Sequence, residues 1–345
     1  MNIRILDMGG LERSFVIQAL SDPAYPVELA RPWEDLLERS SFRHPFFYPL
    51  FHEIWLKHLG RSARPKVLLF REKENLVGLA AFCRVEEGGK KGLRLLGHPD
   101  VWDYRDLVLA AGREEEVLVH LAGFFREKSW DFLDLPGISE FSPTLRSLPP
   151  LLGSLGLQVR PEMEGLSLYV DLPSSWEEYL QGLKSKDRHE LRRKIRRLER
   201  EAGFETAGMD DPRPLSQRMD IFLALHRERE EKARFMTPEM ESFFRELACR
   251  FQERGWFDLS FLKVAGKEIA GLLSFDFQDR KYIYNSGFDP RFASLSPGIV
   301  LAAQGIRRAI ERGMRVCNFL RGGEDYKFRL GGREEKVYRL MVRKG

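Results

Sequence analysis

Apolar positions along this chain follow two rhythms, alternating and three-to-four, and these appear in the same order twice. In the first half, a turn and a short helix carry Phe47, Leu50, Phe51, Ile54 and Trp55. The runs "KVLLF", "LVGLAAFCRV" and "GLRLLG" then read as strands, the first two separated by a polar turn at Glu72 to Asn75. Helical spacing returns with Val117, Leu121, Phe124 and Phe125, and "WDFLDLPGI" reads as a buried strand ending at Pro-Gly. In the second half, "WFDLSFLKV", "IAGLLSFDF" and "KYIYNSGF" predict three strands. A helix from Gly298 to Arg312 follows, with Gly313 at its stop, and then the strand "RVCNFLRGG".

The halves align locally. Gly78 in "LLFREKENLVGLAAF" falls against Gly271 in "SFLKVAGKEIAGLLSF", and Gly137 against Gly322, which predicts duplication of one α/β unit. A Pro- and Gly-rich stretch, "LPPLLGSLGLQV", leads into the strand "GLSLYVDL", and the boundary is placed near Glu164, giving domains 1–164 and 165–345. One long helix, "SWEEYLQGLKSKDRHELRRKIRRLEREAG", opens the second domain with Leu180, Leu183, Leu191, Ile195, Leu198 and Ala202 as its buried stripe.

Composition narrows the class. At 345 residues the chain exceeds one typical domain, and 43% hydrophobic against 31% charged residues is a globular balance. No apolar run approaches the roughly 18 residues that span a bilayer. The beginning, "MNIRILDMGGLERSF", lacks a signal-peptide pattern. Cys83, Cys249 and Cys317 are scattered and odd in number, which argues against a disulfide framework, and no metal-ligand spacing occurs. A reducing cytoplasm is the expected compartment. A formal charge of +4 does not by itself imply nucleic acid.

Three features carry chemistry. From Ser185 to Arg200 the helix holds eight Lys or Arg against three acids. That is either a solvated face or a cationic wall for a phosphate-bearing substrate, Arg binding phosphate oxygens bidentately. A nucleic-acid-binding stripe is disfavoured, because no aromatics interleave and the segment has no nucleic-acid motif, and no DNA partner is expected. Ser296-Pro297-Gly298 opens a helix after a strand: either plain helix initiation, with Ser296 as N-cap, or a phosphate cradle on unpaired amides. "FLRGGEDYKFRLGG" delivers Tyr326 and Lys327, the lysine either an ordinary surface residue or a stabiliser of an oxyanion or donor phosphate. His189 and His226 read as exposed or packing residues, and neither a GxSxG elbow nor a Walker loop is present.

In combination, "LKSKDRHELRRKIRRLEREAGFE", "GFDP…SPG" and "DYKFRLGG" resemble the GNAT superfamily, and more closely its CelD-like and FemAB-like branch. "HPFFYPLFHEIW" and "SWDFLDLPGI" extend the likeness over nearly the whole chain. The resemblance implies an α/β (α+β) fold of tandem GNAT-like domains, mixed sheets flanked by helices, with the active cleft mainly in the second. It implies N-acyl transfer from acyl-CoA or acetyl-CoA, without a metal, to an amine on a small acceptor. Lys327, with Tyr326, would be catalytic. Ser296, Pro297, Gly298 and Ile299 would hold the CoA pyrophosphate. Arg188 and Arg192 would bind acceptor phosphates, and Tyr284 and Asn285 would line the acyl slot. The acceptor expected is a sugar-nucleotide or lipid-linked envelope or exopolysaccharide precursor, with peripheral association with envelope machinery.

Two departures from the family pattern keep alternatives open. "FASLSPGIV" supplies one glycine where CoA-binding members have a Gly-rich loop, which leaves room for acyl carrier protein or charged tRNA as donor, the latter as in FemAB-type aminoacyltransferases. Asn318 stands where a family Asp is common, so no carboxylate base is assigned. A non-catalytic scaffold is the alternative of another class.

Overall fold

The computed structural model describes residues 2–4, 15–127, 130–208 and 211–344. Its chain divides into two compact units, Met1–Gly165 with Lys336–Gly345, and Leu166–Glu335.

The first unit contains strands β1 (Asn2–Arg4) and β2 (Phe15–Leu20), then helices α1 (Tyr25–Glu28), α2 (Ala30–Glu38) and α3 (Pro49–His58). The antiparallel series β3 (Pro65–Glu72), β4 (Asn75–Glu87) and β5 (Lys90–Leu95) follows, with the short β6 (Val108–Leu109) on β4. Helix α4 (Glu114–Glu127) crosses over to β7 (Phe132–Ser139), which runs parallel to β5. Helix α5 (Pro143–Ser154) completes the series. The strands order as β1-β2-β3-β4-β5-β7. Tyr25, Trp33 and Trp102 pack around His52, whose burial drives its pKa down to about 3.

Strand β8 (Leu157–Asp171) carries the chain into the second unit. Helices α6 (Trp176–Gly182) and α7 (Ser185–Ala202), strand β9 (Glu205–Ala207), and helices α8 (Leu215–Arg227), α9 (Glu230–Phe235) and α10 (Pro238–Glu253) come next. Then follow β10 (Phe257–Val264), β11 (Lys267–Phe277), β12 (Arg280–Phe288), helix α11 (Pro297–Glu311), β13 (Val316–Arg321), helix α12 (Asp325–Arg329) and β14 (Arg333–Lys344). The sheet order here is β8-β13-β12-β11-β10-β9. Helix α11 lays Val300, Ala303, Ile306 and Ile310 into a core that also takes Leu191 and Leu198 of α7.

Both units therefore contain a three-strand meander, a crossover helix and a parallel strand: β3-β4-β5-α4-β7 and β10-β11-β12-α11-β13. In each, the paired glycine lies under a helix: a Cβ on Gly78 would meet Val117 at 2.6 Å, and one on Gly271 would meet Phe222 at 3.1 Å. The closing strands are exchanged. β8 follows the first series but pairs with β13 through Ser167–Asp171, whereas β14 follows the second series and pairs with β7. Residues 336–345 thus belong to the first unit, not to the second domain as the boundary at 164 assigned them.

The long helix expected at the start of the second domain is two helices. Leu183 and Lys184 are extended, which lets Leu183 turn into the core, and the Arg188 guanidinium donates to the freed carbonyls of Gln181 and Leu183 at 3.1 and 3.4 Å. Among the described residues, no helix is long and apolar enough to cross a membrane.

Candidate functional site

The parallel strands β12 and β13 pair over only three residues each, from Arg280↔Val316 to Tyr282↔Asn318, and then part. Both strands carry an extra residue at the parting. Opposite β11, Leu273 faces Asn285 and Ser274 faces Ile283, leaving Tyr284 over; opposite β8, Asn318 faces Tyr169 and Leu320 faces Leu168, leaving Phe319 over. An extra residue bends its strand and sharpens its twist, so two of them side by side open a gap at the strands' C-terminal ends. Buried Asn318 supports the second bulge: its Oδ1 accepts the Leu320 amide at 2.7 Å and the Ser167 hydroxyl at 3.2 Å. This residue is therefore committed to the backbone. Crevices at the carboxyl ends of parting strands are common ligand sites in α/β folds.

Helix α11 starts after this gap. Pro297 takes the first helical turn as expected, but Ser296 does not cap it. Ser296 adopts a left-handed conformation (φ 52°), and its hydroxyl accepts instead from Lys194 Nζ at 2.8 Å. The amides of Ile299 and Val300 both go to the Ser296 carbonyl, leaving the Gly298 amide as the first open donor of the helix. Nothing crowds Gly298, where a Cβ would sit 3.6 Å from Phe288. Arg197 donates to the Ser294 carbonyl at 3.2 Å. Helix α7 thus holds Lys194 and Arg197 against the turn at the positive end of α11, a setting that favours an anion. Residues Asp187, Glu190, Leu191, Lys194, Ile299 and Tyr326 line a groove beside it.

The structure thereby gathers Ile299 and Tyr326 around one groove and adds Lys194, whose ammonium ties the groove to Ser296. Its sequence signal was its place beside Leu191, Ile195 and Leu198, at the edge of the buried stripe rather than on the outer face. The outer arginines are committed elsewhere. Arg192 pairs with Glu177 at 2.7 Å, and Arg188 serves the α6 carbonyls, so neither is presented as a free phosphate ligand.

Lys327 also differs from its expected role. It is 3% exposed, and its ammonium donates to the carbonyls of Leu320, Arg321 and Gly322 at 3.4, 2.7 and 3.1 Å, with Glu324 at 2.9 Å. Three N–H bonds divided among four oxygens leave no donor for an oxyanion. Lys327 fastens the end of β13, which the left-handed Leu320 (φ 60°) has turned. Tyr326 is half-buried on the groove wall, its phenol held protonated by burial and by Glu324.

On the other side of β12, Tyr284 packs between Phe244 and Phe275, with ring centroids 5.7 and 4.6 Å away. Asn285 Oδ1 accepts its neighbour's amide, Ser286 N–H, at 2.9 Å and lies 3.1 Å from His226 Nε2. A backbone N–H only donates, which fixes the Asn285 oxygen and so places the His226 proton on Nε2. Burial, aided by the Lys232 charge, pulls His226 down to about 4, so it is a neutral positioning group. Lys232 of α9 donates to the Ser286 carbonyl, and burial followed by Arg229 lowers its pKa to about 8, against the pull of Glu324. His226 and Lys232 were not singled out as site residues by sequence reasoning, since their roles depend on α8 and α9 lying over the bulge.

A sequence profile of the Acetyltransferase (GNAT) domain family matches residues 185–328, the span from α7 to α12. Among solved structures, FemX matches with a TM-score of 0.63 at 10% identity, over 94% of this chain and 96% of FemX. L-PGS from Bacillus licheniformis matches with a TM-score of 0.56 at 15% identity, over 91% and 92% of the two chains. A tandem GNAT protein from the clavulanic acid biosynthesis pathway matches at 0.50 and 12% identity, over 95% and 99%. No curated protein is close enough in sequence to count as a relative. The parted strands and the helix that starts beside them lie within residues 185–328, the span that matches the Acetyltransferase (GNAT) domain family, and the chain as a whole has a tandem GNAT-like fold similar to FemX.

Proposed function

We propose that the chain is an N-acyltransferase that moves an acyl group from acyl-CoA to an amine on an anionic acceptor, a sugar-nucleotide or lipid-linked envelope precursor. The observation that carries this reading is the grip of Lys194 and Arg197 on the Ser294–Ser296 turn, beside the gap between β12 and β13. The Gly298 amide and the Lys194 ammonium would hold the donor's phosphates. Bound CoA would supply an activated thioester. Tyr284 and Asn285 would line the acyl slot, with His226 fixing the Asn285 side chain through its Oδ1 so that the amide could orient a carbonyl. The aromatic walls Phe244 and Phe275 keep water from one side of Tyr284. Arg188 and Arg192 remain candidates for acceptor phosphates only if they release Gln181 and Glu177.

The test is isothermal titration with acetyl-CoA and with a long-chain acyl-CoA. Binding of either, with release of free thiol on adding an amine acceptor, supports the reading. No heat with either, on folded protein, sinks it.

One observation favours a second reading, aminoacyl transfer from charged tRNA to a cell-wall or lipid acceptor. The first turn of helix α11 offers one open amide and one glycine, fewer donors than a pyrophosphate cradle uses. The likeness to FemX and L-PGS supports the same direction.

A further inference from the structure

Lys232 lies at the gap between the parted strands, and the reading above gives it no role. It belongs to α9, a six-residue helix with no fully buried residue, and is itself half-buried, its amine reaching the carbonyl of Ser286, two residues past the β12 bulge. From the other strand it feels Glu324, which follows β13. Other lysines of the second unit are held differently. Lys281 lies between Asp258 and Asp276 at 2.7 and 2.6 Å, Lys194 pairs with Glu190 at 3.2 Å, and Lys327 pairs with Glu324 at 2.9 Å. A carboxylate partner keeps an ammonium charged, whereas the Lys232 hydrogen bond ends on a carbonyl, which holds its proton far less firmly.

We propose that Lys232 is itself an acyl-accepting site, taking the acyl group of a thioester donor held between β12 and β13, so that the protein acylates itself. The proposal rests on the acyl-CoA reading. In the step, the neutral Lys232 amine attacks the thioester carbonyl carbon. The C–N bond forms as the C–S bond breaks, the electron pair leaves with sulfur, and the proton shed by nitrogen ends on the thiolate. The products are an amide and a free thiol.

The electrostatics agree with this chemistry. The charged groups facing the amine are Arg229 from its own segment and Glu324 after β13, while His226 of α8 is neutral. With a pKa of about 8, about a quarter of Lys232 is free base at pH 7.5, against about a thousandth of an ordinary lysine. Desolvated lysines are activated nucleophiles for this reason. An acylated Lys232 would lose its charge and its attraction to Glu324, releasing one of the ties that hold α9 over the gap.

The experiment incubates the full chain with acetyl-CoA at pH 7.5, and in a parallel arm with limiting N-hydroxysuccinimidyl acetate, with peptide mapping by mass spectrometry. Calorimetry with acetyl-CoA is run on the same protein. We expect Lys232 to be acetylated first in both arms, roughly tenfold or more ahead of the next lysine. The Lys232→Arg variant should lose that label, and Glu324→Gln should gain it about twofold faster, because the group holding the proton on is gone. If acetyl-CoA binds and Lys232 stays unlabelled, or is labelled no faster than other lysines, self-acylation is overturned while the donor reading stands. Absence of acetyl-CoA binding overturns the donor reading and the self-acylation with it.

Discussion

Lys194 Nζ lies 2.8 Å from the Ser296 hydroxyl, so the basic helix α7 is tied by a side chain to the turn that begins α11. The same ammonium is 3.2 Å from Glu190, which leaves it partly neutralised and partly exposed to the groove. Replacing it should weaken an anion at this helix start without unfolding the domain. For Lys194→Met, acetyl-CoA is expected to bind about five- to tenfold more weakly, or ~1 kcal/mol. Arg192→Ala, whose guanidinium is engaged by Glu177, should change the affinity less than about twofold. Calorimetry on both variants checks the contrast, and equal losses would remove the special position of Lys194.

Lys327→Ala is expected to act on stability before it acts on activity. The substitution strands the carbonyls of Leu320, Arg321 and Gly322 at a turned strand end and should cost roughly 3–5 kcal/mol. Urea unfolding followed by circular dichroism measures the loss. A fully stable Lys327→Ala protein without acyl transfer would restore the catalytic role first expected for this residue.

Gly287→Ala tests the packing of α8 on β12. A Cβ at this position would lie 2.6 Å from His226 N and 2.7 Å from His226 Cα, which are backbone atoms that cannot turn aside. Helix α8 would have to retreat, breaking the bond from His226 to Asn285. The expected result is a loss of about 2–4 kcal/mol, with Asn285 displaced. Chemical shifts of the Asn285 side-chain amide read the displacement, and an unshifted resonance would count against the positioning role of His226.

His226 also predicts a pH dependence. Its pKa is about 4 when folded and 6.5 ordinarily, so as pH falls below 6.5 the unfolded chain takes a proton that the folded one refuses. Stability of the second unit should therefore drop between about pH 6.5 and pH 4, by roughly 2–3 kcal/mol. His226→Gln keeps a donor for Asn285 and should show a correspondingly shallower loss. In the first unit the half-buried Asp106, pushed by desolvation up to about 6, works against His52 over the same range, so the difference between wild type and His226→Gln is the quantity to measure.

Much of the architecture was legible because it is written in periodicity. The alternation in "FLKV" and "GLLSFDF" and the three-to-four spacing from Ile299 to Ile310 identify a hairpin and a crossover helix in each half, and Gly78 and Gly271 mark where helices press on strands. The break at Leu183 was not legible. An apolar residue at helical spacing looks alike whether it continues a helix or turns into the core. Chemistry was harder still. Lys327 and Lys194 are both lysines beside apolar neighbours, and only the folded backbone decides that one meets carbonyls and the other a hydroxyl at a helix start. The bulges at Tyr284 and Phe319 leave no local pattern, because each is a property of the partner strand's register.

The exchange of β8 and β14 bears on how the protein is made. The strand that closes the first sheet is synthesised after the whole second unit, and with it comes Arg339, which donates to the buried Asp134 at 2.6 and 2.7 Å. A nascent chain stalled before residue 336 would present β7 as an open edge and Asp134 without one of its cations. Cutting the gene at residue 164 would take β14 from the first half, while the second would keep Ser167–Asp171, the part of β8 that pairs with β13. The first repeat is completed only by a segment encoded after the second, so it is not an independent cassette for recombination.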